Sequence, residues 1–536
     1  MSTATTAPQV CPLPAVLDAM AGNETSSLVF RRGGGEPDRV SHARCRADAA
    51  ALAAALRERG VGPGAKVAVH GSTGYEWVLA DLACVLVGAL SVALYPSAPV
   101  PRAVAVAGES GCRTVLTDNA DAVAAFRAAG FDVLFLGHTA PDGVESVAEL
   151  VSRAGPAARD GAARPRTGPF TVVSTSGTLS EPKLFTVAAD PLLRTMDRFA
   201  EIYGFGRGDR LLLYLPLSHL PQRMMLYWGL RAGLDFVLSD PAHMAADGAA
   251  HAPTLHVTVP RVLEHVRWRV SKVLKGRQAE PGATAAAYRS IFGPAIRSIF
   301  VGSAPTDPAL MAELLAADLP VFEVYGTTEL GMIGLNTPGA RRPGTVGRPI
   351  PWGEVRLDPG TREVLVRTPT PFLHGRLVDG RVEPKRWDPD RFEPTADVGE
   401  FDADGFLRVL GRLRDFIVLP SGEKVFVTPI ETAVARAAGA GLCQVAPGAD
   451  GRLGALLFFE PGEVPADHDV AAALRRVNSG LHPWERVRSY AVVDRMPTVE
   501  EGCLTETGKP RRHVIDRVHG APAAHRRLDA QAERAN

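Results

Sequence analysis

Short apolar runs and longer stretches of helical spacing take turns along the first third of the chain. Asp48 to Gly60, rich in Ala and Leu, predicts a helix, Lys66 to His70 a strand, Glu76 to Gly88 a helix and Ser91 to Tyr95 a strand. Arg113 to Thr117 reads as a strand, Ala120 to Ala129 as a helix and Asp132 to Leu136 as a strand. Apolar strands alternating with helices predict parallel sheets covered by helices. Between Val151 and Pro169 the period is lost among Ala, Gly, Pro and Arg, which reads as an exposed connection without an element of its own. The alternation resumes at the strand Phe170 to Val173 and continues through Leu211 to Leu215, Phe236 to Leu238, His256 to Val259, Ile299 to Val301 and Val321 to Val324.

Past Gly344 the strands shorten and are separated by Pro, Gly and Asp, at Glu354 to Leu357, Glu363 to Arg367 and Phe406 to Leu410. From Phe416 a hairpin-like strand pair, the helix Pro429 to Ala438, the strand Ala455 to Phe459, the helix Val470 to Leu481 and the strand Ser489 to Val493 predict a compact α+β domain. The Ala/Arg-rich stretch after Val518 reads as a fraying tail. The expected class is α/β. A large N-terminal domain of layered, parallel-type sheets spans residues 1–411 and includes a small β-rich subdomain over about 344–411. A smaller α+β domain follows over 412–520, then a tail over 521–536.

Composition narrows the classes of function. With 59 Lys plus Arg against 59 Asp plus Glu, no global field favours nucleic acid or an anionic membrane. The six cysteines are scattered without a CxxC pair, which fits unpaired thiols in a reducing compartment better than a disulfide framework or a zinc site. The most apolar stretch, Val78 to Leu94, is short and broken by Asp81, so it reads as a buried helix and strand rather than a membrane span. The first residues lack signal-peptide form, and the expected location is the cytoplasm.

Five segments carry chemistry. Ser174-Thr-Ser-Gly-Thr-Leu-Ser-Glu-Pro-Lys183 sets hydroxyls, a glycine and a lysine in a turn after a buried strand, the donors that phosphate oxygens require. It is not a Walker A loop, because no second glycine precedes Lys183 and Leu184 stands where that motif needs Ser or Thr. Val324-Tyr-Gly-Thr-Thr-Glu329 ends another apolar run, so its side chains should emerge at the carboxyl edge of a sheet, with Glu329 a natural magnesium station. Thr395-Ala-Asp-Val-Gly399 offers Asp397 as acceptor for a ribose diol. The fourth segment runs from Gly411-Arg-Leu-Arg through Glu431, and the fifth is Leu504-Thr-Glu-Thr-Gly-Lys-Pro-Arg-Arg512.

In this order the segments resemble the core motifs of the adenylate-forming superfamily, which includes acyl-CoA synthetases, nonribosomal adenylation domains and firefly luciferase. Tyr214-Leu-Pro-Leu-Ser-His-Leu-Pro-Gln-Arg-Met224, Thr258-Val-Pro-Arg-Val-Leu-Glu264, Gly339-Ala-Arg-Arg-Pro-Gly-Thr-Val-Gly-Arg-Pro349 and Gly422-Glu-Lys-Val are similar to the long-chain fatty acyl-CoA synthetases. The resemblance implies that a carboxylate attacks the α-phosphate of ATP to give an acyl-adenylate and pyrophosphate, and that the thiol of CoA then displaces AMP. By matching positions it implies that Thr175, Ser176, Gly177, Thr178 and Lys183 hold the β- and γ-phosphates, and that Glu329 with Thr178 binds Mg²⁺. Tyr325 and Gly326, with Gly302, Ser303, Ala304 and Pro305, would line the adenine site, and Thr327 and Thr328 would belong to the same nucleotide-binding set. Asp397 and Arg412 would hold the ribose, and Lys509 would bridge carboxylate and α-phosphate. The C-terminal domain would be mobile, turning at Arg414 between the two half-reactions, with Gly422 letting the pantetheine of CoA pass. His219 matches a position that would gate carboxylate entry. Met224, Met225, Tyr227 and Trp228 receive no site role, because such a run is more often core.

The chain departs from the family pattern at Leu179-Ser180, where Thr-Gly is usual, at Leu184, where the family has Gly, and at Val427, where it has Pro. Losing glycine restricts φ and adds bulk beside the phosphates. The expected substrate is a bulky apolar acid, fatty or from specialised metabolism such as antibiotic biosynthesis. Two other readings stand beside it. In one, the acyl-adenylate is handed to an acyl carrier protein or an amine; in the other, the fold is kept as a non-catalytic binding protein.

Overall fold

Ser41 opens the Ala-rich helix of the first third: its Oγ accepts the Arg44 N–H at 3.1 Å, and the helix runs His42–Glu58 with Cys45, Ala49, Leu52 and Leu56 buried. Its small side chains let it pack against the helix Tyr75–Val87, which stops at Gly88 in the left-handed conformation, φ +80°. The computed structural model describes residues 11–32, 35–137, 139–159, 161, 163, 166–175, 183–274, 282–413, 416–419, 423–448, 450–505, 508–520 and 526–528. Those residues fall into two compact units. One holds the residues up to 175 with 183–354 and 367–391; the other holds 355–366 and those from 392 on.

The first unit is built on two sheets of the parallel type expected. In the eight-stranded sheet, Thr171–Thr175, Leu90–Leu94, Lys66–His70, Thr114–Thr117 and Asp132–Phe135 lie side by side and parallel. Lys183–Val187 pairs antiparallel with Thr171–Thr175, and Leu373–Val378 and Arg381–Pro384 extend that edge. In the nine-stranded sheet, Val321–Thr327, Ser298–Val301, Leu255–Thr258, Arg210–Leu213, Asp235–Leu238 and Ser27–Phe30 are consecutive and parallel. Their central residues are buried on both faces, which is why these segments read as continuous apolar runs.

Asp81, the residue that interrupts the apolar stretch Val78 to Leu94, lies in the core rather than at its margin. Arg223 from the helix Leu220–Ala232 grips it with Nη2–Oδ1 at 2.6 Å and Nε–Oδ2 at 3.1 Å, both side chains being essentially inaccessible. Arg223 also donates to Thr171 Oγ1 at 2.9 Å and Ser91 Oγ at 3.0 Å, and the Tyr227 hydroxyl donates to Asp81 Oδ2 at 2.8 Å. Every polar atom of the pair is thus satisfied, the condition for burying charge. Met224, Met225, Tyr227 and Trp228 are buried around it, so the core reading of that run holds.

The second unit carries a four-stranded sheet ordered Glu354–Leu357, Glu363–Arg367, Glu393–Phe401 and Leu407–Arg412. The hairpin Phe416–Val418 with Lys424–Phe426 and the helix Val427–Ala438 follow. A second sheet, Leu442–Pro447, Leu453–Phe458, Val487–Val493 and Arg526–Arg527, packs with the helices Asp467–Asn478 and Arg512–His519.

Two expectations need correction. The stretch Val151 to Pro169 contains elements: the helix Val147–Arg153 runs into it and Pro156–Arg159 forms one more turn. Arg159 ties that turn down by donating to the Val151 carbonyl at 2.7 Å and to Asp48, while Arg46 donates to the Gly161 carbonyl at 2.7 Å. Hydrogen bonding by arginines does there what an apolar period would otherwise do. The stretch after Val518 is also not simply frayed, because Arg526–Arg527 adds a strand beside Ser489 and Tyr490, and Leu528 is buried.

Candidate functional site

The carboxyl ends of four neighbouring parallel strands bring four of the singled-out segments to one edge of the nine-stranded sheet. Arg210–Leu213 leads to His219, Leu255–Thr258 to Pro260, Ser298–Val301 to the turn Gly302–Pro305, and Val321–Thr327 carries Tyr325, Gly326 and Thr327 before Thr328 and Glu329. Open α/β sheets bind ligands at this edge.

His219 stands at the N-terminus of the helix Leu220–Ala232, its Nε2 3.0 Å from Ser303 Oγ. Ser303 is held at φ +72°, a conformation costly for a residue with a Cβ, and it is exposed together with Ala304 and Pro305. Gly302 lies close beneath them, donating its N–H to the Thr258 carbonyl at 3.4 Å. The next residue, Thr306, is buried, and its N–H donates to Glu323 Oε1 at 3.0 Å. Glu323 lies two residues before Tyr325; burial pushes its carboxyl up to about 7, and its Oε2 is buried without a hydrogen-bond partner.

Tyr325 is half-buried. Gly326 is needed for close approach, since a Cβ there would lie 2.5 Å from the Gly331 carbonyl oxygen of the returning strand Gly331–Leu335. Thr327 Oγ1 accepts the Leu330 N–H at 3.0 Å and so closes the turn that presents Thr328 and Glu329, both half-buried. The Glu329 carbonyl accepts the Leu373 N–H at 3.0 Å, while no described residue forms an ion pair with its carboxylate. A half-buried, uncompensated carboxylate is a hard oxygen donor that fits Mg²⁺.

The Ser/Thr/Gly segment joins two antiparallel strands. Thr175 and Lys183 are register partners at the ends of Thr171–Thr175 and Lys183–Val187, and the Lys183 side chain is exposed. Ser176, Gly177 and Thr178 lie outside the described residues, as do Arg414 and Gly422. Leu184 is buried among Ala68, Val92 and Val172, so its bulk goes into the core and not toward a ligand.

In the second unit Asp397 and Arg412 are cross-strand partners, with Arg412 Nε 2.9 Å from Asp397 Oδ1 and Nη1 donating to the Thr395 carbonyl at 3.2 Å. Asp397 is buried, its N–H donating to Thr395 Oγ1 at 3.1 Å. Lys509 is exposed on a turn closed by Thr505: the Thr505 N–H donates to the Lys509 carbonyl at 2.8 Å, and the Lys509 N–H returns to Thr505 Oγ1 at 3.0 Å. Gly508, φ +75°, makes that turn possible.

A model of the family described as AMP-binding enzyme matches residues 18–376, a span that contains the whole carboxyl-edge constellation. The chain belongs to the AMP-binding enzyme family. It is 26% identical over 593 residues to the long-chain-fatty-acid–CoA ligase FadD15 of Mycobacterium bovis, a similarity covering 94% of this chain and 97% of that one. Among solved structures, the anthranilate CoA ligase AuaEII, in complex with anthranoyl-AMP, superposes with a TM-score of 0.78 at 17% identity, covering 97% of this chain and 99% of its own. The amide bond synthetase McbA from Marinactinospora thermotolerans superposes with a TM-score of 0.73 at 22% identity, covering 95% and 100%. Both likenesses are of fold.

Three features of this AMP-binding enzyme were not read from its sequence: the link between His219 and Ser303, the strained backbone at Ser303, and the buried Glu323. The first two depend on which strand ends become neighbours. A lone carboxylate in the apolar run Val321-Phe-Glu-Val324 was a visible sign of the third.

Proposed function

We propose that this AMP-binding enzyme is an acyl-CoA synthetase: it activates a bulky apolar carboxylic acid with ATP to the acyl-adenylate and transfers the acyl group to CoA. The observation that carries the reading is the convergence of His219, Ser303, Tyr325 and Glu329 at one sheet edge within the family-matched span. The choice of a fatty or similarly apolar acid is supported by the similarity to FadD15 along nearly its whole length.

In this reading Gly302 to Pro305 and Tyr325 to Thr328 take the nucleotide, and the Asp397–Arg412 pair takes the ribose hydroxyls. Thr175 to Thr178 and Lys183 take the terminal phosphates. Glu329, with Thr178, would hold Mg²⁺, whose chemistry there would be neutralisation of phosphate charge. His219, its ring fixed through Ser303, flanks the entering carboxylate. Lys509 neutralises charge on the carboxylate and α-phosphate; its compact ammonium on a flexible stem suits a group that engages in one half-reaction and withdraws in the other. Residues 412–520 are the domain serving both half-reactions, with Arg414 as hinge and Gly422 along the pantetheine path.

The test incubates the purified chain with ATP, Mg²⁺, CoA and a pool of carboxylic acids from acetate to long-chain and aromatic members. Products are identified by mass spectrometry, with Lys509→Ala as control. Acyl-CoA from apolar acids that disappears in the variant is the expected result. Acyl-AMP without acyl-CoA would redirect the reading to a carrier protein or amine acceptor, and preference for acetate or a free amino acid would overturn the substrate class.

A further inference from the structure

On either side of the Lys509 turn in the chain, Glu501, Cys503 and His519 bring a carboxylate oxygen, a sulfur and an imidazole nitrogen within 4.8 Å of one another. Cys503 Sγ is 3.9 Å from His519 Nε2. Two ligands of a tetrahedral zinc, at about 2.3 Å for sulfur and about 2.0–2.1 Å for nitrogen, stand about 3.6 Å apart, so this pair needs only a small inward movement. Cys503 is fully buried, and the His519 ring is fixed edge-on against Phe458 with centroids 5.0 Å apart.

We propose that Glu501, Cys503 and His519 form a site for a thiophilic divalent cation of the zinc class, its fourth position open to water, which clamps the base of the turn bearing Lys509. A thiolate with an imidazole and one carboxylate is a donor set for a borderline-soft ion, whereas Mg²⁺ and Ca²⁺ require oxygen throughout. Thiolate and carboxylate together neutralise the charge of the ion. Glu501 has an oxygen to give. Its Oε1 accepts from Arg495, and among the described residues its Oε2 meets the Thr498 N–H alone, at 3.4 Å, so ligation through Oε2 leaves Arg495 as the outer partner that orients the carboxylate. Burial raises the Cys503 thiol and lowers the His519 imidazole. Ligation as the thiolate would release the Cys503 proton to solvent.

The clamp follows from where the ligands sit in the chain. Glu501 and Cys503 enter the turn and His519 ends the helix Arg512–His519 that leaves it. Between them the Cys503 carbonyl accepts the Arg511 N–H at 2.8 Å, and Leu504 bridges Pro510. A bound ion would join the segment before Lys509 to the helix after it. The sequence concealed this, because sixteen positions separate the cysteine from the histidine. The binding claim stands apart from the ligase reading; only the consequence for Lys509 rests on it.

The test titrates Co²⁺ into the full chain after chelation and dialysis, reading the thiolate-to-cobalt charge-transfer band. Wild type should bind one equivalent with that band. Cys503→Ser, nearly isosteric, should abolish it, and His519→Gln, at a less buried position, should weaken apparent affinity at least tenfold. Cys112→Ser, at a buried cysteine of the other unit, should retain the band. Absence of the band in wild type up to millimolar Co²⁺, or its persistence in Cys503→Ser, would overturn the proposal.

Discussion

Arg223 and Asp81 are costly residues to disturb singly. Removing one member of a fully buried, hydrogen-bonded pair strands the other charge, so Arg223→Ala should lose about 3–5 kcal/mol, whereas replacing both by apolar residues of similar volume should lose much less. Thermal melts of the two variants side by side check this. Glu323 gives a pH dependence. Its folded carboxyl is raised from 4.5 to about 7, so its contribution is present in acid and is lost as pH rises through about 7. His42 and His256 act oppositely: burial lowers each from 6.5 to about 4, so their contribution is present above 6.5 and is lost as pH falls toward 4. Glu323→Gln should remove the loss of melting temperature that Glu323 contributes as pH rises from about 4.5 to about 7, a range in which the two histidines act in the opposite sense. At Ser303, Ser303→Ala removes the bond to His219 while keeping the strain, and Ser303→Gly removes both. A hydrogen bond of about 0.5–1.5 kcal/mol predicts a roughly 2- to 12-fold loss of turnover in the alanine variant. Steady-state kinetics checks that loss, and thermal melts of the same samples should show the glycine variant melting higher than the alanine variant.

At the scale of elements, residue patterning located the parallel strands of the first unit apart from Ser27–Phe30, because strands buried on both faces have no polar alternation to obscure them, and with them only the helices His42–Glu58, Tyr75–Val87 and Ala120–Ala128. Lys66–His70 and Glu363–Arg367 agree at both ends with their apolar runs. What escaped included most of the helices, such as Ala189–Tyr203 and Pro260–Val273, elements held by polar contacts, such as the turn Pro156–Arg159, and strands that add antiparallel to a parallel body, such as Lys183–Val187 and Gly331–Leu335. The candidate site was legible as motifs and illegible as a constellation. That His219 meets Ser303 follows from strand order, to which neither segment contributes a local signal. The sequence departure at Leu184 also changes meaning once the strand is placed, since the side chain lies in the core. Val427 occupies the first position of the helix Val427–Ala438, where Pro is well tolerated. Gly326→Ala tests the Tyr325–Glu329 turn as an element: a Cβ would strike the backbone at Gly331, so activity should be lost with only a modest drop in melting temperature.

For the whole molecule, the AMP-binding enzyme family match over residues 18–376 is what supports small-molecule chemistry; the charge is balanced, and among the described residues no helix is long and apolar enough to cross a membrane. The first unit supplies the edge at which His219, Ser303, Tyr325 and Glu329 meet, and the second supplies the Asp397–Arg412 pair and the Lys509 turn. The central claim is the one proposed above, that the chain forms an acyl-adenylate from an apolar acid. Exchange of labelled pyrophosphate into ATP reads that step alone, without requiring any acceptor. The account predicts exchange that depends on Mg²⁺ and on a bulky apolar carboxylate, falling at least about a hundredfold in Lys509→Ala. Exchange that is independent of added acid, or unchanged in that variant, would contradict it.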